Sequence, residues 1–99
     1  FIKNGINAKQ WELYYTYLSE LAYGCLKTNI YNLDINDLQD FHEKYRKEHR
    51  IGDSFETIKN NLLKTKVLQE DVDTYKFTYD YLYYFFVAKY LYHHYRRLL

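Results

Sequence analysis

The apolar positions of the first third of the chain follow steps of three and four residues, which is the spacing of one helix face. The pattern predicts a first helix over residues 8 to about 26, ended by Lys27-Thr28-Asn29. The stripe consists of Trp11, Tyr15, Leu18, Ala22 and Cys25, widened by Tyr14 and Leu21.

A second helix is predicted from Asp34 to about His49. Asp34 can cap the free amides, and Asp37 lies at the third helical position, where a carboxylate suits the helix dipole. Leu33 and Leu38 occupy the two positions of a hydrophobic staple. The expected buried stripe is Leu38, Phe41 and Tyr45, and the opposite, charged face is expected to be solvated.

Gly52 separates this helix from a third one, whose start is predicted at Asp53. Asp53 and Glu56 form a D-x-x-E start, and we expect the helix to end by Thr65. Its expected buried face is Phe55, Ile58 and Leu62.

The hydrophobic period then changes from that of a helix to that of a strand. Residues 67–69 are predicted to form a short strand, residues 70–73 a turn, and residues 74–79 a second strand. In the second strand Tyr75, Phe77 and Tyr79 alternate with Lys76 and Thr78. Two strands this short are not stable alone, so we expect the hairpin to pack on the helices.

A last helix is predicted over residues 80 to 97. It is aromatic nearly all round, so we expect it to be buried on more than one side. Its most apolar stretch, residues 81–88, lies between Asp80 and Lys89 and is shorter than the roughly 18 residues needed to cross a bilayer. Leu82, Phe85, Phe86 and Tyr90 are expected on one side, with Tyr81, Ala88, Tyr92 and Tyr95 on others.

The order of elements is three helices, a short β-hairpin and a long aromatic C-terminal helix. This order predicts a mainly α (α+β), winged-helix-like fold in which residues 1–99 form a single domain. The sequence contains no Met, which suggests a piece of a larger multidomain protein.

Composition and charge narrow the possible functions. A net charge of +1 gives no strong field for nucleic acid or an anionic membrane. The single Cys25 excludes an intramolecular disulfide, lies in an apolar stripe and is expected to be a buried structural thiol. A reducing cytosol fits this cysteine usage, and residues 1–5 lack the apolar run of a signal peptide.

Residues with catalytic or metal-binding chemistry are sparse. The glycines Gly5, Gly24 and Gly52 are isolated and form no phosphate-binding loop. His42 and His49 would lie about 10 Å apart along a helix, too far for one metal, and all four histidines are expected on the surface. Helix capping explains the carboxylates at the helix starts. We therefore expect no catalytic residues and no metal site in this chain.

Nucleic-acid binding is the alternative function, because winged helices often bind DNA. The third helix offers Lys59, Asn60 and Lys64, but it has no Arg and begins with acidic residues. The predicted hairpin turn, residues 70–73, is also acidic and would be repelled by phosphates. A generic helical interaction module is a third possibility.

The C-terminal third resembles the segment that closes the winged-helix domain of STAND NTPases of the NACHT type. Residues 75–91 read YKFTYDYLYYFFVAKYL. In that family a strand ending in an aromatic leads into F-x-H-x-x-F-x-E-[FY]-[FL]-x-A-x-[YF]-[LI], with a bacterial, tyrosine-rich version F-x-Y-x-Y-x-Y-Y-[FY]-F-V-A-[KR]-Y. Residues 18–23 and 55–68 are also similar to that family and precede the hairpin in the same order.

The resemblance implies a non-catalytic regulatory domain in a cytoplasmic signalling switch of bacterial defence. In such proteins the winged-helix domain folds over an ATPase core that holds ADP in the off state, and ATP exchange releases it and permits oligomerisation. The expected partners are the nucleotide-binding core and a C-terminal sensor of the same polypeptide. ADP or ATP would be bound by the parent protein, with no cofactor in this fragment.

Tyr79 is the candidate nucleotide-sensing residue that the resemblance implies. The family's histidine, which reaches toward the β-phosphate of ADP, has its equivalent by motif position in Tyr79, two residues after Phe77. A phenol donates a hydrogen bond but stays neutral near pH 7, whereas histidine can be charged. The alternation with Tyr75 and Phe77 supports a second interpretation, in which Tyr79 is a core residue.

Overall fold

The computed structural model describes residues 8–95, which fall into two compact units. One unit, called the helix pair below, combines the parts of the chain before residue 31 and after residue 78. The other, the central unit, is formed by residues 31–78. The elements of the described part are α1 (Ala8–Thr28), β1 (Leu33–Asp34), α2 (Ile35–His49), α3 (Phe55–Lys64), β2 (Leu68–Asp71), β3 (Thr74–Phe77) and α4 (Asp80–Tyr95). The predicted mainly helical fold with a short hairpin and a long C-terminal helix is confirmed.

The helix pair consists of α1 and α4, which pack through aromatic rings. The rings of Tyr23 and Tyr90 stack with centroids 4.0 Å apart and an angle of 9° between planes. Nearer the start of α1, the centroid of Tyr15 lies 5.9 Å from that of Phe86. The ammonium of Lys89 lies 5.5 Å from the Tyr15 ring centroid, within the range of a cation–π contact.

The predicted stripe of α1 is largely confirmed. Tyr15 is half-buried, whereas Tyr17 and Ser19 are also buried, so the buried surface is wider than the stripe. The helix ends at Thr28, two residues beyond its predicted end and within the predicted stop. Asn29 follows with φ of 59°, a left-handed conformation that asparagine tolerates. The buried residues of α1 are Trp11, Tyr14, Tyr17, Leu18, Ser19, Leu21, Ala22 and Cys25.

The burial expected for α4 on more than one side is wrong. In the described part of α4, Phe86 is buried, while Leu82 and Tyr90 are half-buried and Phe85 is exposed. Within its own unit α4 packs on α1, and one helix covers one face of another. The aromatic residues on the opposite face therefore remain in solvent.

Side-chain caps start both helices of the central unit. Asp34 caps α2 as predicted, with its Oδ1 accepting a hydrogen bond from the Asp37 amide at 2.8 Å. The predicted start of α3 at Asp53 is wrong by one residue, because Ser54 is the cap and its Oγ accepts from the Thr57 amide at 3.2 Å. Ser54 is extended, with ψ of 160°, which turns its hydroxyl toward the free amides of the first turn.

The sheet of the central unit has three antiparallel strands in the order β1-β3-β2. The two-residue strand β1 was not predicted from the sequence; it places Leu33 opposite Tyr75. The predicted four-residue turn is wrong, because β2 extends to Asp71 and only Val72 and Asp73 connect the strands. Their φ values of 41° and 52° match the left-handed pair of a tight hairpin turn.

The core of the central unit lies between the two helices and the sheet. Phe41 and Phe55, predicted to be buried, are half-buried. His42, predicted on the surface, is only 1% exposed, and its ring centroid lies 5.5 Å from that of Phe55. The buried residues of this unit are Leu38, His42, Tyr45, Ile58, Leu62, Thr65, Val67, Leu68 and Tyr75.

His42 makes the stability of the central unit depend on pH. Burial, which disfavours the charged imidazolium, lowers the pKa of His42 below its ordinary value of 6.5. Well above pH 6.5 the imidazole is neutral in both states, so folding carries no protonation penalty. As pH falls below 6.5 the unfolded chain binds the proton first, and the free energy of unfolding falls until the pH drops below the folded-state pKa.

We expect urea unfolding followed by circular dichroism to show this loss between pH 7.5 and pH 5.5, a range of about two units around the ordinary histidine pKa. The His42→Gln variant should lose less stability over the same range, whereas His93→Gln, at an exposed position, should behave like the wild type. An equal pH slope in the wild type and His42→Gln would contradict the assignment.

Val72 is the strained residue of the hairpin turn. A β-branched side chain at φ of 41° is disfavoured, and Val72 is also 84% exposed, so little packing compensates. We expect Val72→Asn to raise the free energy of unfolding by about 1 kcal/mol, because asparagine tolerates this conformation. Val72→Ile, which keeps the β-branch, is the matched control and should leave stability unchanged. A thermal melt in which both variants match the wild type would contradict the strain.

Candidate functional site

Tyr79 lies at the junction where the hairpin passes into the last helix. β3 ends at Phe77 and α4 begins at Asp80, so Tyr79 belongs to the helix start. Its carbonyl oxygen accepts hydrogen bonds from the amides of Leu82 at 3.1 Å and Tyr83 at 3.4 Å. These are the first bonds of α4, which fixes the backbone of Tyr79 at the position that precedes the helix.

The placement of Tyr79 in the core is wrong. The residue is 53% exposed, whereas Tyr75 on β3 is buried. The in-and-out alternation of a strand holds only while the chain is extended, and β3 has ended before Tyr79. The Tyr79 ring stacks on that of Tyr81, with centroids 5.4 Å apart and an angle of 11° between planes.

The chemistry available at this junction is hydrogen bonding and ring stacking. The free amides in the first turn of α4 give a partial positive charge, but Asp80 adds a carboxylate to the same turn. Tyr79 and Tyr81 contribute neutral phenols, each able to donate or accept a hydrogen bond. The junction can therefore hold a polar group by hydrogen bonds better than it can neutralise a highly charged one.

Cys25, the other residue with chemical reactivity in principle, is confirmed as a buried structural thiol. Its side chain is buried in α1, and burial raises the pKa of the thiol to about 11. Since the thiolate is the nucleophilic form, the thiol is unreactive at neutral pH.

Lys59, at the centre of α3, makes its charge contacts within the central unit. The Nζ of Lys59 lies 3.3 Å from the Oε2 of Glu56 and 6.0 Å from the ring centroid of Tyr75. The Tyr75 hydroxyl in turn donates to Glu70 Oε2 at 2.9 Å, and the pKa of Tyr75 is raised by burial first and by this bond second. Lys59 thus joins α3 to the hairpin, and one of the cations predicted for nucleic acid contact is paired internally.

The hairpin turn is acidic and exposed. Glu70, Asp71 and Asp73 are all exposed around Val72. A phosphate backbone brought to this turn would meet like charge.

Comparison with protein families identifies the chain. The profile described as Novel STAND NTPase 4 matches residues 31–87, more than half of the sequence. The chain belongs to this STAND NTPase family. The match covers the whole central unit and continues through Tyr79 into the first half of α4.

Comparison with curated proteins and with solved structures gave no match. The matched segment includes residues 55–68 and most of the aromatic segment 75–91, but not residues 18–23 of α1. Within residues 8–95, no helix has the length and apolar character to cross a membrane.

Proposed function

We propose that this chain is a non-catalytic winged-helix regulatory domain of a NACHT-type STAND NTPase, which packs on the nucleotide-binding core of the same polypeptide and holds the ADP-bound off state. The observation that carries the proposal is the family match through the central unit and across Tyr79. The parent protein would be a cytoplasmic signalling switch in bacterial defence that binds ADP or ATP. A C-terminal sensor would be the second partner.

The arrangement of the central unit supports the winged-helix part of the proposal. After α1, the chain runs through β1, α2, α3 and the hairpin of β2 and β3. Because β3 lies between β1 and β2, the short strand β1 pairs with the hairpin. In a winged helix the same order produces a compact helical unit with the hairpin as its wing, here tipped by Val72 and Asp73.

Tyr79 is the residue through which this domain would sense nucleotide. Its exposure leaves the phenol accessible in this chain, and its backbone is fixed by the first hydrogen bonds of α4. Because the phenol is neutral and Asp80 is next to it, we propose that Tyr79 donates one hydrogen bond to a phosphate oxygen of ADP without neutralising its charge. This contact is weaker than one made by a charged histidine.

The geometry gives less support to the nucleic-acid alternative. The pairing of Lys59 with Glu56 and the exposed acidic turn both reduce the attraction of this surface for phosphates. A domain that contacts its own polypeptide does not require a basic surface.

Replacing Tyr79 with Phe in the full-length parent protein tests the proposal. Loss of one hydrogen bond from a neutral donor to a charged phosphate oxygen costs about 1.5 kcal/mol or more, so ADP release should become at least roughly tenfold faster. The release rate can be followed with a fluorescent ADP analogue chased by unlabelled nucleotide. Tyr79→His should retain ADP at least as long as the wild type, because the imidazole can donate the same bond.

Tyr31→Phe is the matched control for this measurement, since it removes a hydroxyl from another exposed tyrosine of the chain. Its ADP release should equal that of the wild type. If Tyr79→Phe also releases ADP at the wild-type rate, the hydroxyl has no role in retention and the sensing role is refuted.

A further inference from the structure

The outer face of α4 carries a continuous stripe of exposed apolar and aromatic residues. The large members of the stripe are between 39% and 66% exposed, and a small residue, Ala88, lies among them, also exposed. We call this surface the α4 stripe; it consists of Tyr81, Tyr84, Phe85, Ala88, Leu91, Tyr92 and Tyr95. At about 100° per residue these positions all fall within about 60° of the direction of Ala88.

The α4 stripe is symmetric in sequence about Ala88. Counted from Ala88, exposed aromatic or leucine residues occur three, four and seven positions away in both directions. Phe85 corresponds to Leu91, Tyr84 to Tyr92, and Tyr81 to Tyr95. Two antiparallel copies of α4 related by a two-fold axis at Ala88 would therefore bring large side chains opposite large side chains. The small alanine at the centre leaves the two-fold axis without a bulky side chain, so residue 88 faces its own copy there.

The acidic, lysine and histidine side chains of α4 lie off the stripe or at its ends. The ammonium of Lys89 lies against the Tyr15 ring of α1, and His94 stacks on Tyr90 with centroids 3.8 Å apart. Asp80 lies at the N-terminal end of the helix. A parallel pair would place two Asp80 carboxylates together, whereas an antiparallel pair separates them and aligns the helix dipoles favourably.

The exposed area of the stripe suits a weak dimer. Large aromatic side chains bury about 150–250 Å² when fully covered, so the five aromatic side chains of the stripe and Leu91, all about half exposed, offer roughly 600 Å² per copy. Two copies would bury roughly 1,200 Å², which is the lower limit for specific interfaces. Tyrosine hydroxyls both donate and accept hydrogen bonds, so identical copies can satisfy each other at the rim.

We infer that a second copy of this chain binds the α4 stripe, forming an antiparallel two-fold dimer centred on Ala88. The inference rests on the residues of α4 and does not require the role proposed for Tyr79, but the two proposals share Tyr81, whose ring stacks on that of Tyr79. With so small an interface the dimer should dissociate in the micromolar range.

Sedimentation of the full chain over a wide concentration range tests the dimer. We expect a concentration-dependent shift from monomer to dimer, and Ala88→Arg should raise the dissociation constant at least tenfold by placing two cations at the two-fold axis. Leu13→Arg is the matched control, because Leu13 is an exposed apolar residue of α1 and its replacement should leave the dissociation constant unchanged. Circular dichroism of both variants checks that their helices form.

Cysteine cross-linking tests the antiparallel geometry separately. Ala88→Cys should form a disulfide with its own copy, since only a residue at the axis meets itself. Tyr84→Cys should cross-link poorly with itself but well with Tyr92→Cys when the two variants are mixed. The native Cys25 is buried and should not compete.

Three outcomes would overturn the inference. If the chain stays monomeric at all concentrations, a second copy does not bind the stripe, and its partner is another protein or another segment of the polypeptide. A dimer unaffected by Ala88→Arg would use a different surface. Self-linking of Tyr84→Cys as fast as that of Ala88→Cys would indicate a parallel arrangement.

Discussion

The pairing of β3 on both of its edges is the interaction on which the central unit depends. β3 lies between β1 and β2, so its backbone groups are bonded to two strands that are too short to be stable alone. Tyr75 lies across from Leu33 on one side and Glu70 on the other, with its ring buried and its hydroxyl bonded to Glu70. The amide of Thr78 extends this pairing by donating to the carbonyl of Val67 at 3.0 Å. Through these bonds β3 joins β1, which precedes α2, to β2, which follows α3.

β3 is also close in sequence to Tyr79 and to the start of α4. Only Thr78 and Tyr79 separate it from α4, so the end of the sheet and the start of the helix are neighbours in sequence. Tyr79 leaves the alternation of the strand at this point and becomes exposed. The first hydrogen bonds of α4 fix the backbone of Tyr79 at the start of that helix.

The helix bounds could be predicted because caps and helical periodicity are local signals. The sequence identifies Asp34 as the cap of α2. At α3 the D-x-x-E pattern points to Asp53, but the adjacent Ser54 is an equally good cap, and only the backbone angles distinguish the two. The two residues of β1 are too few to show alternation. The hairpin turn was placed too wide because Val72 is an unusual residue at positive φ, where asparagine or glycine is expected.

Burial was harder to predict, because periodicity shows which residues share a face but not which faces have a neighbour. His42 follows Phe41 on α2, and the sequence favoured Phe41 for the core, whereas the structure buries the imidazole more completely. On α4 the aromatic character on all sides suggested burial on several, yet α1 covers one face. Tyr79 could be selected from the family motif, but its exposure depends on where the strand ends.

Native-state hydrogen exchange of the full chain tests the central role of β3 most directly. If the strand holds the central unit together, the amides of Tyr75, Lys76 and Phe77 that bond within the sheet should exchange only with unfolding of that unit. Their free energy of opening should then equal that of the α3 amides of Ile58 and Leu62. Exchange of the β3 amides at a clearly lower free energy than those of α3 would show that the helices persist without the strand, and would contradict the account.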